Sequence, residues 1–190
     1  MLADPEIDAV SVCAANHVHA EITIAALKAG KHVLCEKPFT LCVDQAEELY
    51  ELAEEKGLFI MEAFWIRFLP AYDKLRAMLR DGVIGEVKRI TSQFGFTVEG
   101  ARRERKFKSE LGGGALLDIG IYNLWIFSYD HRAAPEGEIF PAEVHMTEYG
   151  TDDYSEVELE YPGGCSAHCI QAIGKKLERH AKIEEQKVIS

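Results

Sequence analysis

The run Ala9-Val10-Ser11-Val12-Cys13-Ala14 is apolar at nearly every position and has the length of a buried β-strand. Asn16 then stands where a helix N-cap is expected, and Val18, Ile22, Ala25, Ala26 and Ala29 recur with helical spacing until Gly30. His32-Val33-Leu34-Cys35 predicts a second strand. Asp44 and Glu47 have the spacing of a capping box, and Ala46, Leu49, Tyr50 and Ala53 form one apolar helix face, which Gly57 ends. Leu58-Phe59-Ile60-Met61 predicts a third strand. Strands and helices alternating through tight connections predict right-handed crossovers and a parallel sheet covered by helices. This is half of a doubly wound α/β domain.

Pro70 opens a further helix bearing Tyr72, Leu75, Met78 and Leu79, closed by Gly82, and the alternation then stops. Period-2 stretches follow near Val87 to Phe96, Val144 to Tyr149, Val157 to Tyr161 and Ser166 to Ile170, with Pro162-Gly163-Gly164 as a turn. One helical segment interrupts them, from about Ala115 to Phe127. The fold class is α/β plus α+β: a parallel unit over residues 1–69 joined to a predominantly antiparallel unit over residues 70–190. No Gly-x-Gly-x-x-Gly turn of a dinucleotide-binding strand occurs. Gly112-Gly113-Gly114 lacks that spacing and reads as a flexible or close-approach element.

Composition narrows the partners. The 190 residues are 47% hydrophobic and 28% charged, which suits a globular chain rather than a disordered one. A formal charge of -11 repels a phosphate backbone, so nucleic acid is excluded as the expected partner. No apolar run reaches the roughly 20 residues that cross a bilayer, and Met1 to Glu6 lacks the basic-then-apolar order of a secretion signal. The expectation is cytoplasmic, with no membrane partner. Five cysteines, Cys13, Cys35, Cys42, Cys165 and Cys169, read as reduced thiols. Cys165 and Cys169 flank His168 but lack the second ligand pair of a zinc site, so no metal is expected.

Several residues have the chemistry of a site, each with a plainer reading beside it. Lys37 ends the second strand, where open α/β sheets bind ligands; it either polarises a substrate oxygen or pairs at the surface with Glu36. Asp118 and Tyr122 stand four apart in an apolar helical segment, as a proton-relay pair or as a buried hydrogen bond fixing the helix. His17 and His19 point to different helix faces, which favours a place near a ligand pocket over a shared metal. In Phe64-Trp65-Ile66-Arg67-Phe68, the arginine either holds a phosphate or stacks in a packing cluster. Arg102 to Lys108 reads as a solvated basic loop.

Gly30-Lys31-His32-Val33-Leu34-Cys35-Glu36-Lys37-Pro38 resembles the signature of the Gfo/Idh/MocA oxidoreductases. Asp4 to Val10, Asn16-His17-Val18-His19 and Gly112 to Gly120 extend the likeness. Met61 to Pro70 and Tyr122 resemble the members that use NADP to oxidise a trans-dihydrodiol or a pentose such as D-xylose. The resemblance implies that residues 1–69 are the C-terminal half of a Rossmann-like domain, and residues 70–190 an incomplete substrate and dimerisation domain. It further implies catalytic roles for Lys37, Asp118 and Tyr122, with Lys37 and Tyr122 on the reacting hydroxyl and Asp118 orienting them. Asn16, Glu36, Lys37, Trp65 and Arg67 would line the cofactor, NADP or alternatively NAD. A homodimer is expected of the full-length relatives. Those relatives carry about two further strand-helix units before Met1, with the glycine turn, so the chain reads as truncated at both ends. Two other readings stand beside this one: a non-catalytic remnant that pairs with a full-length subunit, and Schiff-base chemistry at Lys37.

Overall fold

The computed structural model describes residues 1–100, 102–128 and 140–185; the last residues of the polar tail, 186–190, lie outside that range. Two compact units result, Met1–Trp65 with Glu110–Gly112, and Ile66–Ser109 with Gly113–Ser190. The chain thus leaves the first unit at Trp65 rather than after residue 69. Glu110–Gly112 rejoins it through the Asn16 side-chain amide, which donates to the Gly112 carbonyl at 2.8 Å.

In the first unit β1 (Ala9–Val12), β2 (His32–Glu36) and β3 (Ile60–Ala63) form a parallel sheet in the order β1-β2-β3. Crossover helices α1 (His19–Lys28) and α2 (Val43–Glu55) connect them. Strands added in one direction through right-handed crossovers place both helices on the same face. The burial pattern agrees: Val10, Val12, Val33 and Cys35 are buried with Ala26, Leu27, Leu49 and Ala53, while Ser11 and Leu34 stay exposed. Among the described residues the helices cover one face of the sheet, as expected, and the run read as a buried strand is buried only at alternate positions.

Two expected caps take other forms. Asn16 opens a 3-10 turn, Asn16–Val18, ahead of α1, and its side chain reaches Gly112 instead of the helix amides. At α2 the N-cap position is Cys42, and Gln45 accepts from the Leu41 amide at 3.0 Å, so Asp44 and Glu47 form no capping box. Both segments have local alternatives for their orphan amides, and distant or shifted partners win.

In the second unit α3 (Pro70–Arg80) precedes β4 (Val87–Gly95), followed by α4 (Arg102–Phe107). After a π turn, Leu116–Gly120, come α5 (Ile121–Ser128), β5 (Phe140–Met146), β6 (Asp152–Tyr161), β7 (Cys165–Ala172) and β8 (His180–Glu185). The sheet order is β5-β6-β7-β4-β8, antiparallel except for the parallel β4–β7 pair. The antiparallel expectation holds with that one exception. β8 lay hidden in the polar tail: it is an edge strand whose one core contact is Ile183, so it shows no apolar alternation.

A chain of side-chain hydrogen bonds fastens the π turn and α5 to this sheet. Ser92 donates to Asn123 Oδ1 at 2.7 Å; Asn123 Nδ2 donates to the Ile170 carbonyl at 2.9 Å and to Gln171 Oε1 at 3.1 Å. Gln171 donates to Ser155, Ser155 donates to Asp152, and Asp152 accepts the Leu116 amide at the start of the π turn. Asn123 and Gln171 are at most 2% exposed, so water does not replace these partners. Asn123→Leu strands Ser92 and Gln171, and we expect it to cost about 1–3 kcal/mol in urea denaturation; a loss below about 0.5 kcal/mol would show that the network does not hold the helix.

Candidate active site

Three parallel strands deliver their following loops to one sheet edge, where open α/β sheets bind ligands. The loop after β1 carries Asn16, half-buried and bonded to Gly112. Glu36 and Lys37 end β2, both half-buried, ahead of a cis peptide at Pro38. The loop after β3 carries buried Phe64 and then Trp65, which is 58% exposed. Backbone approaches closely here: a Cβ on Gly112 would lie 2.6 Å from Leu41 Cδ2 and 2.8 Å from Asn16 Cβ, and its φ of 71° also favours glycine. This is the close approach anticipated for the glycine triplet. Arg67 belongs to the second unit, exposed on the 3-10 turn Trp65–Phe68.

His19 is 1% exposed, with its ring nitrogens 2.8 Å from the Pro38 carbonyl oxygen and 3.2 Å from that of Ala14. It thus ties the loop after β1 to the loop after β2, a structural duty. His17 is exposed. Among the described residues no three His, Cys, Asp or Glu side chains form a metal-binding group. All five cysteines are free thiols, with Cys13 and Cys42 exposed and the other three buried. Burial pushes the Cys35 thiol up to about 11.

Glu62 was not singled out in the sequence, because it sits inside an otherwise apolar strand. Its partner across β2 is Cys35, so it shares the buried face of Val12 and Cys35, and Phe39 donates its amide to Glu62 Oε1 at 2.9 Å. Burial raises the carboxyl above its ordinary value, against the lowering influences of the Phe39 amide, Lys37 and His19.

In the second unit Asp118 lies in the π turn and Tyr122 just beyond, at the start of α5. A wide turn replaces the regular helix expected over this stretch, and such turns often accompany functional sites. Asp118 is 2% exposed, and Lys106 donates from Nζ to both carboxylate oxygens, at 2.5 and 2.6 Å. Tyr122 packs edge-on against Phe94, with ring centroids 5.9 Å apart. Lys106 corrects the reading of Arg102 to Lys108 as a solvated loop. The segment is α4, anchored by fully buried Phe107 and directed by Arg103 over the Phe107 ring at 4.9 Å. Four charges in a row conceal an inward-facing lysine; buried Phe107 beside it was the available signal.

The first unit has the architecture of a nucleotide-binding Rossmann sheet, and with the lysine-, aspartate- and tyrosine-bearing second unit it defines a two-domain oxidoreductase class. The chain belongs to the GFO/IDH/MocA oxidoreductase family: the family's NAD-binding Rossmann-fold model matches residues 1–64 and its C-terminal-domain model matches residues 72–173. It is 38% identical over 181 residues to trans-1,2-dihydrobenzene-1,2-diol dehydrogenase of Xenopus tropicalis, covering 95% of this chain and 54% of that protein. To the NADP+ D-xylose 1-dehydrogenase of Hypocrea jecorina it is 40% identical over 145 residues, 72% of this chain and 37% of that one. Among solved structures, a 3-ketoreductase from Actinomadura kijaniata in complex with NADP and TDP-benzene superposes with a TM-score of 0.86 at 29% identity, over 97% of this chain and 56% of that chain. An aldose-aldose oxidoreductase from Caulobacter crescentus complexed with glycerol gives 0.87 at 28%, over 98% and 56%. The chain spans about half the length of the curated dihydrodiol dehydrogenases it matches.

Two outcomes follow from the buried charges. Lys106→Met removes the ammonium that donates to both Asp118 oxygens and should lower stability by about 3 kcal/mol in urea at pH 7. Adding Asp118→Asn should return most of that loss; an additive double variant would show that the pair is not coupled. For Glu62, a raised carboxyl means that the fold favours its protonated form. Its contribution is therefore favourable below the ordinary carboxyl range and is lost as pH rises through the raised value. Glu62→Gln should accordingly melt higher than wild type at pH 7 and equal to it near pH 4, by calorimetry; a lower melting temperature at pH 7 would contradict that sign.

Proposed function

We propose that this chain carries the catalytic residues of an NADP-dependent dehydrogenase acting on the CH–OH group of a trans-dihydrodiol or a pentose such as D-xylose. The observation that carries the reading is the placement of Lys37 at the carboxyl end of β2, on the same sheet edge as Asn16, Glu36 and Trp65, in a chain matched by both family models. The named relatives and the NADP-bound structural neighbour support the substrate and cofactor classes.

The residues of this edge suit a nicotinamide dinucleotide: the backbone approaches closely at Gly112 beside the polar Asn16, and Glu36 and Lys37 are half-buried at the strand end. Asn16, Glu36, Lys37, Trp65 and Arg67 are the residues that would hold it, and when bound it supplies the hydride acceptor. The chain's own part is handling the proton and the charge on oxygen. Lys37 donates a hydrogen bond from Nζ to the substrate oxygen and stabilises negative charge developing there. On the family resemblance, Tyr122 would take the hydroxyl proton through its phenolic oxygen. Asp118, buried and held at both oxygens by Lys106, orients without itself reacting.

On the family resemblance, a homodimer is expected of the full-length protein. No helix among the described residues is long and apolar enough to cross a membrane.

The test is fluorescence titration of the folded chain with NADPH, followed by turnover assays on a dihydrodiol and D-xylose. Lys37→Met should reduce kcat by about 100-fold or more while NADPH binding survives. Near-normal turnover in that variant would remove Lys37 from the chemistry, and a folded chain that binds no NADPH would favour the non-catalytic partner-subunit reading.

A further inference from the structure

We propose that Glu62 is the positioning residue for Lys37: its carboxylate holds the turn after β2 through the Phe39 amide and presents negative charge to the Lys37 ammonium. The proposal rests on the reading of Lys37 as the residue that handles charge on the substrate oxygen. Geometry places Glu62 for this. The β2–β3 register pairs Glu62 with Cys35, on the buried face of the sheet, and Phe39 donates its amide to Oε1 at 2.9 Å. Phe39 is itself 8% exposed and packs its ring against Tyr50 of α2, with centroids 5.3 Å apart. Lys37 is therefore the residue between a strand fixed by the ladder and an amide fixed by a carboxylate.

The groups facing Glu62 are few. Burial chiefly raises Glu62, with Lys37 and His19 lowering it; burial also chiefly raises Tyr50 of α2 and Cys35 of β2, with Glu62 adding to both. Packing alone does not ask for an acid here, since its strand neighbours Val33, Cys35 and Ile60 are satisfied by apolar contact. A carboxylate accepts the Phe39 amide more strongly than a neutral amide does, and it adds the charge that an ammonium two residues away can use. Gln keeps the acceptor and removes the charge; Ala removes both.

The experiment follows the Phe39 amide and the Lys37 Cε–Hε resonances by NMR from pH 4 to 8 in wild type, Glu62→Gln and Glu62→Ala. In wild type both resonances should show one shared midpoint above the ordinary carboxyl value, and in Glu62→Gln neither should show it. Phe39 amide exchange should stay slow in Glu62→Gln and quicken about tenfold in Glu62→Ala. A step at Phe39 with none at Lys37 would overturn the proposal. This arm needs neither cofactor nor turnover, so it still decides the matter if the dehydrogenase reading fails. With turnover measured, Glu62→Gln should lower kcat about tenfold with KM and the NADPH dissociation constant within threefold. An unchanged kcat would refute the positioning role even where the resonances are coupled.

Discussion

The parallel ladder of β1, β2 and β3 is the constraint on which the rest of the first unit depends. Val10 pairs with Val33 and Val33 with Ile60, while Val12 pairs with Cys35 and Cys35 with Glu62. Because side chains alternate with a period of exactly two, slipping one strand by a residue would turn Val33 and Cys35 outward and Leu34 inward. The same slip would carry Glu62 away from the Phe39 amide. One register thus sets the core under α1 and α2, the exit point of Lys37, and the burial of a carboxylate beside it. The buried histidine adds a second tie, since His19 spans the loops after β1 and β2 through Ala14 and Pro38.

In the second unit, order is imposed by polar groups rather than by apolar packing alone. The side chains of Ser92, Asn123, Gln171, Ser155 and Asp152 join three strands to the π turn and α5. Such a network is specific because each member is stranded if a neighbour shifts, and stranded polar groups in a dry interior are costly. A helix held only by Ile119 and Leu124 could slide on the sheet; one held by Asn123 cannot do so without breaking three bonds. The orientation of Asp118 follows from that anchorage, and Lys106 then closes its charge.

Local periodicity was readable along the chain, and it located β1 to β3, the helices between them, α3, and much of β4, β6 and β7. Each of those elements carries its own signal in neighbouring residues, and Gly30 and Gly57 end their helices with positive φ. Partners remote in sequence were not readable. Asn16 has the composition of a cap, yet its amide finds Gly112, 96 positions away. Lys106 lies among charges that resemble a solvated run, and only the fold brings it to Asp118. β8 has too little buried surface to imprint a pattern. The candidate site was legible where a strand end announced it, at Lys37, and where an acid interrupted an apolar helix, at Asp118. Glu62 escaped notice because its strand is short and its role depends on which residue lies across the ladder.

Asp118 and Glu62 are carboxyls at different depths, the first buried and the second half-buried. At Asp118 the cost of burial is met by Lys106, which donates two short hydrogen bonds and fixes the acid in position. At Glu62 a neutral backbone amide takes one oxygen, and desolvation still dominates the carboxyl. The first arrangement suits a group that orients its surroundings. The second leaves a carboxyl whose charge responds to a nearby cation, which is what a lysine needs if its hydrogen bonding to a substrate oxygen is to be tuned. A neutral residue at position 62 would relieve the desolvation and lose that response. The half-buried carboxyl that accepts the Phe39 amide therefore bears on the Lys37 turn as well as on the sheet.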